Sequence, residues 1–281
     1  MMTSTSRYQR RRIVNRIAWL ACLGVTGLCL AALGAILFQL LYSGLPKLSL
    51  EVFTSRTRAS GGGLGNAIIG SLTMTLLGTL LGTVVGMAAG SWLAASRSRW
   101  SGLIRFASDM LLSAPSIIIG LFIYALVVLP SGGFSGWAGS IALAIIILPM
   151  VIRSTEDMLR LVPAPTREAA YALGAPRWKV LTSISFRMVM PGIITGILLG
   201  CARISGETAP LIFTSLNTNQ WNWFRLSDAM PNLPMTLYQN MTLTGYDMDK
   251  VALAWTGALL MTLMILVLGI VSRRLARTSR S

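Results

Sequence analysis

Arg203 and Glu207 stand four residues apart inside an apolar run, LLGCARISGETAPLIF. In a continuous helix both fall on one face, about 18–24 Å beyond Pro191 at ~1.5 Å per residue. A charge at the centre of a bilayer costs roughly 2.5–3.5 kcal/mol on insertion scales, so such residues face a partner or a watery path. Two chemistries fit the pair. It is either a structural salt bridge near the outer interface, with Arg203 snorkelling outward, or part of a path for a tetrahedral oxyanion. The planar guanidinium fork matches such an anion and keeps its proton. Glu207 would then hold Arg203 between events, or accept a hydrogen bond from a protonated oxyanion. Gly206 and Pro210 predict that the helix loosens here.

Little else in the chain can do chemistry. It has no histidine, which removes the common proton shuttle and histidine-based metal sites. Cys22, Cys29 and Cys201 lie in apolar runs at no metal-binding spacing. No G-x-x-x-x-G-K-[ST] loop is present to hold nucleotide phosphates. The nine acidic residues are scattered, with no carboxylate pair placed for acid–base work. No cofactor is expected. Any driven process must draw energy from another chain or an ion gradient. A membrane transferase would need acids or nucleophiles clustered at one leaflet; a passive channel would conduct without ATP.

The elements that position these residues read as membrane spans. The 281 residues are 54% hydrophobic and 12% charged, against about 25% charged in soluble domains. Six apolar stretches fall at 17–42, 66–94, 106–129, 137–152, 188–211 and 251–271. The first, about 26 residues, is too long for the apolar core of a signal peptide and is read as a retained helix. The fold expected is an all-α integral membrane protein, a six-span body over 17–271. In the second span Gly78, Gly82, Gly86 and Gly90 recur every four residues beside Ser71, Thr75, Thr79 and Thr83. Such a row lets helix backbones approach closely; a hydroxyl-lined pore is the alternative. The third span is interrupted at Ser113-Ala114-Pro115-Ser116, and Asp109 is placed to pair locally with Arg105.

Charge orients the spans. With a cytoplasmic N terminus, 18 of the 24 Lys and Arg residues lie on inner segments and five (Lys47, Arg56, Arg58, Arg225, Lys250) on outer ones. The inner set comprises Arg7, Arg10, Arg11, Arg12 and Arg16 of a basic arm (1–16), then Arg97, Arg99 and Arg105. Arg153, Arg160, Arg167, Arg177, Lys179 and Arg187 follow, and Arg273, Arg274, Arg277 and Arg280 lie in a basic tail (272–281). This asymmetry accounts for the net charge of +15 without nucleic acid. It puts the polar stretch 155–187 in the cytoplasm and the segment 215–250, with Trp221, Trp223, Pro231 and Pro234, outside. Within 155–187, PTREAAYALGAPRWK predicts two helices joined at a sharp turn. Pro165 opens the first, Gly174 ends it in the left-handed conformation, and Pro176 starts the second.

Glu168-Ala169-Ala170, then Gly174, then Ile184 resembles the EAA loop of ABC-importer permeases. The pattern often closes Ile-x-Leu-Pro; here Ser185, Phe186 and Arg187 follow Ile184, and proline waits until Pro191. GGGLGNAIIGS (61–71), DMLLSAPSIIIGLF (109–122), REAAYALGAPRWK (167–179) and ARISGETAPLIFTSL (202–216) are similar to the phosphate branch of that family. The resemblance implies a non-catalytic phosphate permease subunit in a bacterial inner membrane, both termini cytoplasmic. It also implies a homologous second permease, an ATPase dimer beneath and a periplasmic phosphate-binding protein above. Arg167, Glu168, Ala169, Ala170 and Gly174 would seat the ATPase, and Arg203 would be needed for phosphate passage. Pro115, Gly206 and Pro210 are candidate flexing points. Permeases for molybdate or sulfate are the nearest alternatives.

Overall fold

A computed structural model describes residues 3–58, 62–96, 98–222, 225–243 and 247–278, with side chains from 8 to 275 within those ranges. Gly61, Arg97, Trp223 and Arg280 lie outside the described residues, as do the side chains of Arg7 and Arg277. In the described chain the regular elements are all helices, apart from one isolated bridge between Thr57 and Gly62. Among the described residues five helices are long and apolar enough to cross a membrane, and a bent helix pair, counted as one span, brings the number to six. Helices suit this composition because they satisfy every backbone polar group within the segment, where lipid offers no partner.

The helices in order are α1 (Thr3–Gly44), α2 (Leu50–Thr54), α3 (Gly65–Ala95), α4 (Arg99–Ser113), α5 (Ser116–Ser131) and α6 (Gly136–Arg160). Then come α7 (Ala164–Ala172), α8 (Arg177–Ile204), α9 (Ala209–Thr214), α10 (Leu233–Thr242) and α11 (Met248–Thr278). At the centre α3 lies along α6, both running the same way. The glycine row of α3 faces a row of α6 with the same four-residue spacing: Leu143, Ile147, Val151 and Thr155. A Cβ added at Gly78 would lie 2.9 Å from Leu143 Cβ, at Gly86 2.8 Å from Val151 Cβ and at Gly90 2.8 Å from Thr155 Cβ. At Gly82 it would run into Ile147 Cγ2. The row is therefore a helix-packing seam. Leu143, Ile147 and Val151 of α6, with Ile146, Met74, Ile119, Ile204, Leu211 and Met230, form the main buried cluster.

Four spans differ in detail from the apolar stretches. The third is divided: α4 and α5 meet at Ala114–Pro115 at 105°. Proline disfavours the helical region for the residue before it, and Ala114 sits at ψ 133°. The fourth continues through Pro149 to Arg160, carried past the apolar residues by charged side chains that find partners. The fifth begins at Arg177, passes through a π-helical stretch at Val180–Ser185, continues as α-helix through Pro191, and ends at Ile204. The sixth starts at Met248. Outside the bundle, the segment after α8 is stitched inward. Asn232 caps α10 by accepting from Met235 N at 2.9 Å, and Leu233 N donates to Ser71 Oγ at 2.7 Å. The described side chains of α1 are exposed up to Leu40. Its last turn meets α11, where Thr256 Oγ1 donates to the Gly44 carbonyl at 2.9 Å and Lys47 pairs with Asp249.

Gly82→Leu is expected to lower stability by about 1–3 kcal/mol through overpacking. Gly27→Leu on α1, where a Cβ meets nothing within 4 Å, should change it little. Thermal melting of the purified variants in detergent checks both.

Candidate functional site

The helix carrying Arg203 stops one residue later. Gly206 N donates to the Arg203 carbonyl at 3.3 Å and Glu207 N to the Ile204 carbonyl at 3.2 Å, tightening the chain into a turn. Pro210 has no N–H to offer the Gly206 carbonyl, and it sits in the first turn of the next helix, α9, where none is needed. Arg203 and Glu207 therefore do not share a helix face, which corrects the sequence expectation. No ion pair joins them among the described residues.

Arg203 is exposed in the last turn of α8, where the helix dipole favours a cation. Its Nη1 lies 3.6 Å from the sulfur of Met150, a weak acceptor on α6. Among the described residues no carboxylate engages the fork. Glu207 is half-buried, and Gly206 has room, its added Cβ meeting nothing nearer than 3.9 Å. Pro210 is buried against Gly120 of α5: a Cβ on Gly120 would come within 2.7 Å of Pro210 Cα. The two broken spans thus meet backbone to backbone, five residues after the elbow at Pro115. Gly120 gave no signal beyond being one more small residue in an apolar run. Thr79 and Thr83 of α3 keep buried hydroxyls that meet no hydrogen-bond partner.

At the other end, α7 holds the EAA residues. Ala170 is buried, Arg167 half-buried, and Glu168, Ala169 and Gly174 exposed. Gly174 N donates to the Tyr171 carbonyl at 2.9 Å and Ala175 N to the Ala170 carbonyl at 3.1 Å. This is a Schellman ending, and it requires the left-handed backbone that Gly174 adopts at φ 77°. Around α7, Leu161, Tyr171, Leu173 and Trp178 expose an apolar surface, Leu173 at 89%.

Sequence reasoning missed a charged cluster where α4 meets α6. Arg105 does not pair with Asp109. Its Nε donates to Glu156 Oε1 at 2.7 Å and its Nη2 to the Leu93 carbonyl at 3.2 Å. Arg160 Nη2 reaches the same Glu156 oxygen at 2.6 Å. Asp109 lies 3.9 Å from Arg153 instead. Glu156 is buried, so it draws the guanidinium more strongly than the half-exposed Asp109 does. Only the Glu156–Arg160 spacing hinted at this.

A protein family described as binding-protein-dependent transport system inner membrane component matches residues 82–281. The phosphate transport system permease protein PstA of Pasteurella multocida is 49% identical over 242 residues, covering 85% of each chain. PstA of Yersinia pestis is 46% identical over 268 residues, covering 94% of this chain and 90% of its own. A probable PstA of Methanocaldococcus jannaschii is 33% identical, covering 92% of each. A solved inward-facing structure of the MetNI methionine ABC transporter shares the fold at a TM-score of 0.63. Its identity is 18%, and the match covers 77% of this chain and 95% of that one.

Replacing Arg105 with Ala should cost about 1–3 kcal/mol by leaving a buried carboxylate with Arg160 as its one described cation. Asp109→Ala should stay within about 0.5 kcal/mol. Comparing melting temperatures of the two purified variants decides which pairing holds.

Proposed function

The chain belongs to the family of binding-protein-dependent transport system inner membrane components, and from that premise we propose that it is the permease subunit of an ABC importer carrying inorganic phosphate inward. The observation that carries the substrate end is Arg203, a charged fork held at a break between helices with no carboxylate engaged. Phosphate would meet it through paired charge-assisted hydrogen bonds. Glu207, near but separated from it by the turn, would compete for the guanidinium and so keep the anion from being held too tightly. It could also accept a hydrogen bond from a protonated phosphate. Broken helices around a midplane path are how many transporters alternate access. Pro115, Gly206 and Pro210 are the places where this one would flex.

The coupling end is α7. Its exposed Glu168 and Ala169, with half-buried Arg167, would sit in a groove of a PstB-type ATPase dimer, as the EAA resemblance implies. Buried Ala170 would anchor α7 to the bundle, and Gly174 would fix where the helix stops. The exposed apolar residues Leu161, Tyr171, Leu173 and Trp178 support such a seat, since patches of this kind mark protein contacts. ATP hydrolysis would belong to that partner, and this chain would bear no catalytic residue. A homologous PstC-type permease would complete the path, and a PstS-type periplasmic protein would deliver phosphate to the outer segment 215–250. The excess of positive charge supports cytoplasmic placement of the arm 1–16, the loop 155–187 and the tail 272–281 around the lipid-embedded body 17–271.

The test is ATP-driven uptake of phosphate, sulfate and molybdate by the reconstituted complex, with phosphate expected to be the one imported. Arg203→Ala should lower phosphate uptake about 10–100-fold, since a charge-assisted bond contributes about 1.5–3 kcal/mol, while the complex still assembles. Near-normal uptake by that variant would remove Arg203 from the path. Gly174→Val forces a β-branched residue into a left-handed backbone, a strain of about 1–2 kcal/mol, and should weaken ATPase recruitment or uncouple hydrolysis from uptake. Full recruitment together with full uptake would contradict the coupling assignment.

A further inference from the structure

Glu156 has no part in the path around Arg203 or in the surface of α7, yet it is 1% exposed and bonded to two guanidinium groups. Its Oε1 takes Arg105 of α4 and Arg160 of its own α6, and Arg105 reaches on to the carbonyl of Leu93 in the last turn of α3. One oxygen thereby ties three helices. Glu156 Oε2, by contrast, is buried with no hydrogen-bond partner. So are Thr155 Oγ1 beside it and Ser108 Oγ, three residues after Arg105 on the facing helix. A static tie would satisfy such atoms, because buried polar groups left unpaired cost free energy. A seam with spare acceptors and hydroxyls has pairings ready for a second register.

We propose that the Arg105–Glu156–Arg160 node is the linkage by which the ATPase-facing loop sets the geometry of the transport path. Glu156 and Arg105 are then positioning residues for transport. The inference rests on the transporter reading above. On one side of the node α6 leads within four residues to α7. On the other, α4 turns at Ala114–Pro115 into α5, whose Gly120 bears on Pro210, just past the turn that holds Arg203 and Glu207. Arg105 is held at both Glu156 and Leu93, so α4 cannot shift along α6 without breaking one bond or re-pairing at the free Oε2. Movement of α6 is thereby carried to the elbow and from there to the Gly120–Pro210 contact.

The test uses the complete complex, reconstituted with its ATPase and binding protein. Three quantities are read for each variant: intact complex, ATP hydrolysis, and phosphate imported per ATP. Glu156→Gln keeps the side-chain shape and removes the charge, and Arg105→Lys keeps the charge but cannot span Glu156 and Leu93 together. Both are expected to assemble and hydrolyse ATP, and to import at least about tenfold less phosphate per ATP, within the usual range of coupling energies. The double variant should lose no more than either single one, as residues acting through one linkage do. The proposal is overturned if assembled variants keep full stoichiometry, or if losses merely follow the amount of complex. It is also overturned if the two losses add, or if neither variant assembles, which would assign the node to folding alone. Native complex in the same assay separates the readings. Failure of the native protein to import phosphate sinks the transporter reading, whereas native import with unaffected variants sinks only the linkage.

Discussion

Two helix backbones brought almost into contact set the frame of this molecule. Along α3 four glycines spaced by four residues leave no side chain between that helix and α6, and Leu143, Ile147, Val151 and Thr155 fill the groove so made. In lipid the hydrophobic effect does not drive helices together, so dispersion over a close seam must do it. The seam binds the outer end of the bundle to the inner one as a single stiff unit. The elbow span α4–α5 and the broken span α8–α9 pack around it.

The candidate site lies where helices fail. Ala114–Pro115 and the turn 205–208 both interrupt spans, and irregular backbone at membrane depth is tolerated only against protein or a watery cavity. Here the two spans that break support each other, through Gly120 and Pro210. The break at Ile204 also leaves Arg203 at a helix C-terminus with its fork uncommitted, near a thioether that offers only a weak bond. Had α8 continued, Glu207 would have faced Arg203 one turn on and the pair would have neutralised itself.

Charge is used in opposite ways at the two ends. Around Arg203 it meets no described carboxylate. At the α4–α6 seam it is concentrated on one carboxylate oxygen shared by two arginines, and the positive charge of Arg105 extends to a main-chain carbonyl. A charged tie of this kind costs desolvation but fixes geometry in a way an apolar face does not. Between it and the apolar surface around α7 lies one turn of helix and a short connection.

The features legible in the sequence were those whose physics is local. Apolar length required membrane helices, the glycine period required a close seam, Pro115 barred a helical Ala114, and Gly174 followed by Pro176 required a left-handed helix end. The family resemblance was legible for the same reason, since it rests on short contiguous motifs. Contacts between residues distant in the chain were not legible. The sequence suggested that Arg203 and Glu207 share a face and that Arg105 pairs with Asp109, because spacings of three and four residues are the neighbour relations a lone helix offers. Tertiary structure ended one helix at Ile204, packed Pro210 on Gly120, and supplied Arg105 with a buried carboxylate 51 residues away. Spacing along the chain thus settles which helices form and where they bend. Which charge meets which depends on burial, and burial exists only once the helices have packed.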